Sequence, residues 1–162
     1  MNNAVRVALA TATLALIARG NAAAAGIANV PNAGARIHAT TSLTVLLPNA
    51  LPDSIVGGGG IRLIVTSASA DAYDASIVAG RTCASVTCRL GFMRGMRAPA
   101  GRPAGEAVRF EGARAYFLAA SCARGCNAST LTWTSGGVRY VLGIRGASLN
   151  ALRFAAASTT RY

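Results

Sequence analysis

Four cysteines, one histidine and an unusual supply of arginine are the residues of this chain with chemistry to offer. The cysteines fall into two local pairs, Cys83 with Cys88 and Cys122 with Cys126. Two chemistries suit such pairs. One is oxidation to disulfides, for which an even count behind an export signal argues; the other is a four-thiolate zinc site. Zinc sites usually have two to four residues between paired ligands and their thiols must stay reduced; in an oxidising compartment disulfides are the expectation, and no metal is assigned. Four cysteines allow three connectivities. Pairing sequence neighbours is favoured, although loops so small contribute only about 2 kcal/mol each by the chain-entropy argument.

His38 is the only histidine. An imidazole metal cluster is therefore excluded, and a Ser-His-Asp or Cys-His arrangement would have to use this one residue. No Gly-x-Ser-x-Gly elbow occurs, and the cysteines read as paired, so no nucleophile stands out. Asp71 and Asp74 are close enough in sequence to work as a carboxylate pair, but they flank Tyr73 in a stretch that reads as loop. The four glycines of residues 57–60 are followed by Ile61-Arg62-Leu63 rather than by Lys-Ser/Thr and a helix, so they read as a flexible connection and not as a phosphate-binding loop. The expectation is a non-enzymatic protein without a cofactor.

All 16 basic residues are arginine, against 5 acidic ones, giving a net charge of +11. Such a balance favours adhesion to polyanions. Five arginines, Arg62, Arg89, Arg109, Arg139 and Arg145, fall on the polar phase of strand-like stretches. Guanidinium groups there can fork onto phosphate or carboxylate oxygens, and alternation alone would also put charge on a solvated face. The partners this suggests are anionic lipid head groups or acidic polysaccharide, with a protein partner as the alternative. Nucleic acid ranks below these; Trp133, Tyr140 and Tyr116 would be its stacking residues.

The elements that must position these residues begin with an address segment. Arg6 precedes an apolar run at residues 7–18, and Arg19-Gly20-Asn21 leads into Ala22-Ala23-Ala24-Ala25. That is the grammar of a cleaved secretory signal, and the run is too short for the ~20 residues that span a bilayer. Residues 1–25 are read as the signal peptide, 26–36 as a flexible leader and 37–162 as one β-rich domain. The destination is periplasmic or extracellular, with no transmembrane segment after cleavage.

Alternation with period two then marks Ile61, Leu63 and Val65; Cys88, Leu90 and Phe92; and Val108 with Phe110. Residues 94–105 are an exposed loop rich in Gly, Pro and Arg, and 113–121 a strand. Ser129-Thr130-Leu131-Thr132-Trp133-Thr134, the turn Ser135-Gly136-Gly137, and Val138-Arg139-Tyr140-Val141-Leu142 form a hairpin. Ser148 is an N-cap for a helix with Leu149, Leu152 and Ala156 on one stripe. The fold class that follows is α+β: a mainly antiparallel sheet of about five to seven strands with one C-terminal helix on its apolar face.

Leu131-Thr132-Trp133, Gly136-Gly137-Val138-Arg139-Tyr140 and Ala155-Ala156-Ala157-Ser158, with the opening pairs Leu47-Pro48 and Leu51-Pro52, resemble a family of bacterial exported domains of unknown function. Its pattern is a tryptophan strand, a Gly turn, a tyrosine strand and a closing helix, akin to the extracytoplasmic domains of anti-sigma-factor-like proteins. The resemblance spans residues 43–158. It implies an α+β fold and export, and carries no catalytic residue.

Overall fold

The computed structural model describes residues 23–57, 59–80, 82, 88–122 and 127–162. The first element is β1, Ala24–Ala28. Helix α1, Val30–His38, follows at once, with a proline in its first turn, where the missing N–H costs nothing. Val30, Ala33, Gly34 and Ile37 recur at helical spacing and are the buried stripe. Gly34 is required by close packing: a Cβ there would lie 2.5 Å from the ring of Tyr162.

Short strands β2, Leu46–Pro48, and β3, Ala50–Pro52, lead through a 3₁₀ turn to β4, Ile61–Ser69, and β5, Ala72–Ala79. Then come β6, Arg89–Arg97; β7, Glu106–Phe110; β8, Ala113–Leu118; β9, Ser129–Ser135; and β10, Val138–Ile144. Helix α2, Leu149–Ala157, and β11, Thr159–Arg161, complete the order.

One nine-stranded sheet runs β3-β1-β4-β5-β6-β10-β9-β8-β7, and β2 pairs with β11 in a separate two-stranded ribbon. The large sheet is mixed, because β1 lies parallel to β4 and antiparallel to β3. Both helices pack on one face of it, α1 against β4 and α2 against β9 and β10. Between the layers, Ile37, Leu47, Leu51 and Leu152 meet Leu63, Ile77, Met93, Leu131 and Leu142, all buried. Trp133 anchors this core, stacked on Tyr140 at 5.5 Å and edge-on to Phe110 at 5.4 Å.

The fold is mainly β rather than α+β, with eleven strands and two helices among the described residues, and its principal sheet is wider than five to seven strands and is not wholly antiparallel. Residues 26–36 are not a flexible leader but the end of β1 and most of α1. The stretch with Asp71 and Asp74 is no loop: Asp74 lies on β5 and Asp71 in the turn before it. Much of residues 94–105 is loop, yet Arg94 and Arg97 belong to β6.

The helix was hidden because its stripe uses Ala and Gly and its start uses Asn and Pro, residues that locally announce a turn. Burial against β4 and Tyr162 outweighs that propensity. The hairpin of β9 and β10, in contrast, has the register its alternation requires, Tyr140 opposite Trp133 and Leu142 opposite Leu131. The α2 cap also stands, with Ser148 Oγ accepting from the Ala151 N–H at 3.3 Å.

Candidate anion-binding site

The face of the sheet turned away from the helices carries the arginines. On β4, β5 and β6, Arg62 is opposite Val78, and Val78 is opposite Arg89. The two arginines thus flank Val78 in one row, about 10 Å apart in backbone spacing. The β5–β6 register shifts between Ile77 and Val78. This bulge gives Arg89 and Phe92 the same face, where strict alternation separates them. Phe92 is therefore not a core residue: the core-facing set on β6 is Gly91, Met93 and Gly95, and the Phe92 ring lies against Gly143 instead.

Around Phe92 a charged cluster is assembled. The Arg94 guanidinium sits 4.4 Å from the ring centroid and that of Arg89 5.5 Å, a geometry in which the ring quadrupole attracts the cation. Asp74 bonds Arg94 Nε and lies 3.9 Å from Arg89 Nη2. It also accepts from Thr66 Oγ1 at 3.1 Å. Asp74 thereby orients Arg94 and partly neutralises Arg89.

Arg145 follows β10 directly, and its backbone N–H donates to the Leu90 carbonyl at 2.8 Å. This bond ties Arg145 to the start of β6. Arg89 and Arg145 line one cavity of about 160 Å³, together with Gly91, Phe92, Asn127 and Ala128. Arg145 is exposed, and no carboxylate of the described residues forms an ion pair with it.

The remaining two predicted arginines are elsewhere. Arg139 stands toward the other end of β10, where its Nη2 donates to the Pro99 and Gly101 carbonyls at 3.0 and 2.7 Å. It ties down the loop after β6. Arg109 is on β7, four strands from β6 in sheet order, opposite Arg114 across its hairpin and bonded to the Gly112 carbonyl at 3.3 Å. The structure brings Arg62, Arg89 and Arg145 to one end of the sheet and leaves Arg109 and Arg139 out. Sequence reasoning missed Phe92, Arg94 and Asn127. Only Arg94 carried a signal, since it falls in phase with Phe92.

Cys88 directly precedes β6 and Cys122 follows β8; neither is a free thiol. Cys83 and Cys126 lie outside the described residues. The N–H of Asn127 donates to the Ser121 carbonyl at 3.0 Å. His38 is exposed at the end of α1. Asp71 is bound to Arg97 at 2.7 Å, so both acids of the sequence pair are held by arginines.

No family model, curated protein or solved structure matches the chain. Among the described residues, no helix is long and apolar enough to cross a membrane, and no group of three metal-ligating side chains forms.

Proposed function

We propose that the chain is an exported, non-catalytic envelope protein that holds anionic groups at the sheet end formed by Arg89 and Arg145. The observation that carries this reading is their shared cavity, in which Arg145 keeps its donors for a ligand while Asp74 draws on Arg89 from the side. Its volume of about 160 Å³ is below the 300–1,000 Å³ typical of drug-sized ligands. A phosphate head group or the carboxylate of an acidic sugar is the matching chemistry, with Arg62 supplying charge from the same row.

Export is supported by the leader grammar of the first residues and by the resemblance to extracytoplasmic domains. The hydrogen bond between Ser121 and Asn127 suits a local Cys122–Cys126 bridge, and Cys83 with Cys88 is the matching proposal in the β5–β6 connection. A non-catalytic role accords with both Asp71 and Asp74 being committed to arginines.

The test is binding to vesicles containing phosphatidylglycerol in rising salt. Arg145→Ala and Arg89→Ala should each weaken binding about fivefold, the worth of one arginine near a charged surface. Arg109→Ala removes the same net charge and should change it far less. Equal weakening by all three variants, or release no later than a similarly basic control protein, overturns the reading.

The alternative, a structural or sensor module of an envelope assembly, is favoured by one feature. The edge strand β7 and the end of β8 present Leu118, 46% exposed. An apolar contact there would survive salt that abolishes the ionic one.

A further inference from the structure

On the helix side of the sheet, across from the arginine-lined face, a second cavity of about 360 Å³ borders the aromatic core. That volume lies within the roughly 300–1,000 Å³ of small-molecule sites. Its floor is the rim of Trp133, 7% exposed, with buried Phe110 and Ala156. On β11, alternation puts Thr159 and Arg161 on one face, and both line the cavity. Glu111 joins them from the turn between β7 and β8, where Phe110 is opposite Ala113.

Glu111 and Arg161 bring opposite charges to one cavity, yet among the described residues neither forms an ion pair, with the other or with any third group. Both charges remain open to a ligand. Burial raises the ionisation of Tyr140 and the positive charge of Arg161 opposes that rise, so the guanidinium stands within electrostatic reach of the Trp133–Tyr140 stack. Glu111 is also held at a φ of 48°, in a turn position that Asn or Gly fills at lower cost. Strain of this kind in a non-glycine residue gathers at ligand sites. A carboxylate kept there at the turn's expense points to a ligand as well.

We propose that this cavity binds a small zwitterion, an apolar α-amino acid, with its ammonium group on Glu111, its carboxylate on Arg161 and its side chain over Phe110 and Trp133. The charges select the class. A simple anion meets the Glu111 carboxylate and a simple cation meets the Arg161 guanidinium, so each loses to one group what it gains from the other. A sugar ring has no tryptophan face to stack on, because Trp133 already stacks on Tyr140 and lies edge-on to Phe110. Both charged groups are exposed, so screening keeps each contribution modest, and the apolar floor adds the rest. The site is independent of the anion reading, since it lies across the sheet from Arg62, Arg89 and Arg145 and shares no residue with them.

L-Leucine is the probe, its uptake by the protein measured by equilibrium dialysis and its place by emission from Trp133, the only tryptophan of the sequence. Saturable uptake with a dissociation constant of about 1 mM and a parallel change in emission are expected. Leucinamide, which lacks the carboxylate, and isocaproate, which lacks the amine, should each bind about three- to tenfold more weakly. Arg161→Gln should erase the preference for leucine over leucinamide, and Glu111→Asn the preference over isocaproate. Because Asn suits the turn, misfolding does not account for the second loss. Arg36→Gln removes a charge from α1 and should leave both preferences intact. Absence of saturable uptake, uptake that leaves the emission unchanged, equal binding of the three compounds, a preference that survives its variant, or the same loss in Arg36→Gln each overturns the proposal.

Discussion

Asn29 occupies a position where the backbone and the side chain make opposite demands. Its φ of 59° lies in the left-handed region, which Asn tolerates better than most residues. Its amide behaves as a short strand: Nδ2 donates to the Leu63 carbonyl and Oδ1 accepts from the Leu63 N–H, each at 3.0 Å. Asn29→Ala loses both bonds and adds strain, so unfolding in urea should show a loss of about 2–4 kcal/mol. Asn29→Gly relieves the strain and should lose only about 1–3 kcal/mol. Equal losses would show that strain is not at issue. Glu111, with φ 48° beside Gly112 at 78°, is the opposite case, a turn whose first residue is poorly suited to it. Glu111→Asn should stabilise by roughly 0.5–1 kcal/mol, read from the same urea curves. At this scale the sequence was only partly legible. The phase of Arg62, Arg109 and Arg139 could be read from alternation, but that of Phe92 could not, because a bulge depends on the partner strand and leaves no local mark.

The elements repeat that lesson in another form. The β9–β10 hairpin and α2 are defined by contacts near in sequence, with a Gly-Gly turn and a serine cap, and were readable. Strand β1 and helix α1 form only because remote partners, β3, β4 and Tyr162, complete them. Remote side chains also fix the segment leading into β2. Tyr73 Oη accepts from the Leu46 N–H at 3.0 Å and donates to its carbonyl at 2.9 Å, while Tyr140 Oη donates to the Thr44 carbonyl at 2.8 Å. Tyr73→Phe leaves two backbone groups unpaired and should cost about 1–3 kcal/mol at neutral pH. Burial, partly offset by the bond from Leu46, raises the ionisation of Tyr73 well above the ordinary range, and burial likewise raises that of Tyr140. The unfolded chain gives up these protons near pH 10 and the folded one holds them, so stability is whole below about pH 10 and falls as pH rises beyond it. In melts from pH 8 to 11, Tyr73→Phe should begin lower but decline less steeply. Parallel declines would remove Tyr73 as the cause.

For the whole molecule, charge acts in two opposing ways. The net charge of +11 comes from 16 arginines set against 5 acids. Self-repulsion of that size destabilises the folded state, and salt screens it over a Debye length of about 10 Å at 0.1 M. Chloride should therefore raise the melting temperature while weakening adhesion to anionic surfaces. A bound anion adds a different contribution, because a ligand that prefers the folded state stabilises it by mass action. Inorganic phosphate and chloride at equal ionic strength screen alike, so any excess stabilisation by phosphate reports binding. Phosphate should raise the melting temperature above the chloride value by about 2–4 °C per kcal/mol of binding, and Arg145→Ala should abolish the excess while keeping the common rise. If the variant keeps the excess, the cavity between Arg89 and Arg145 is not where the anion sits, and the arginines serve only to repel one another.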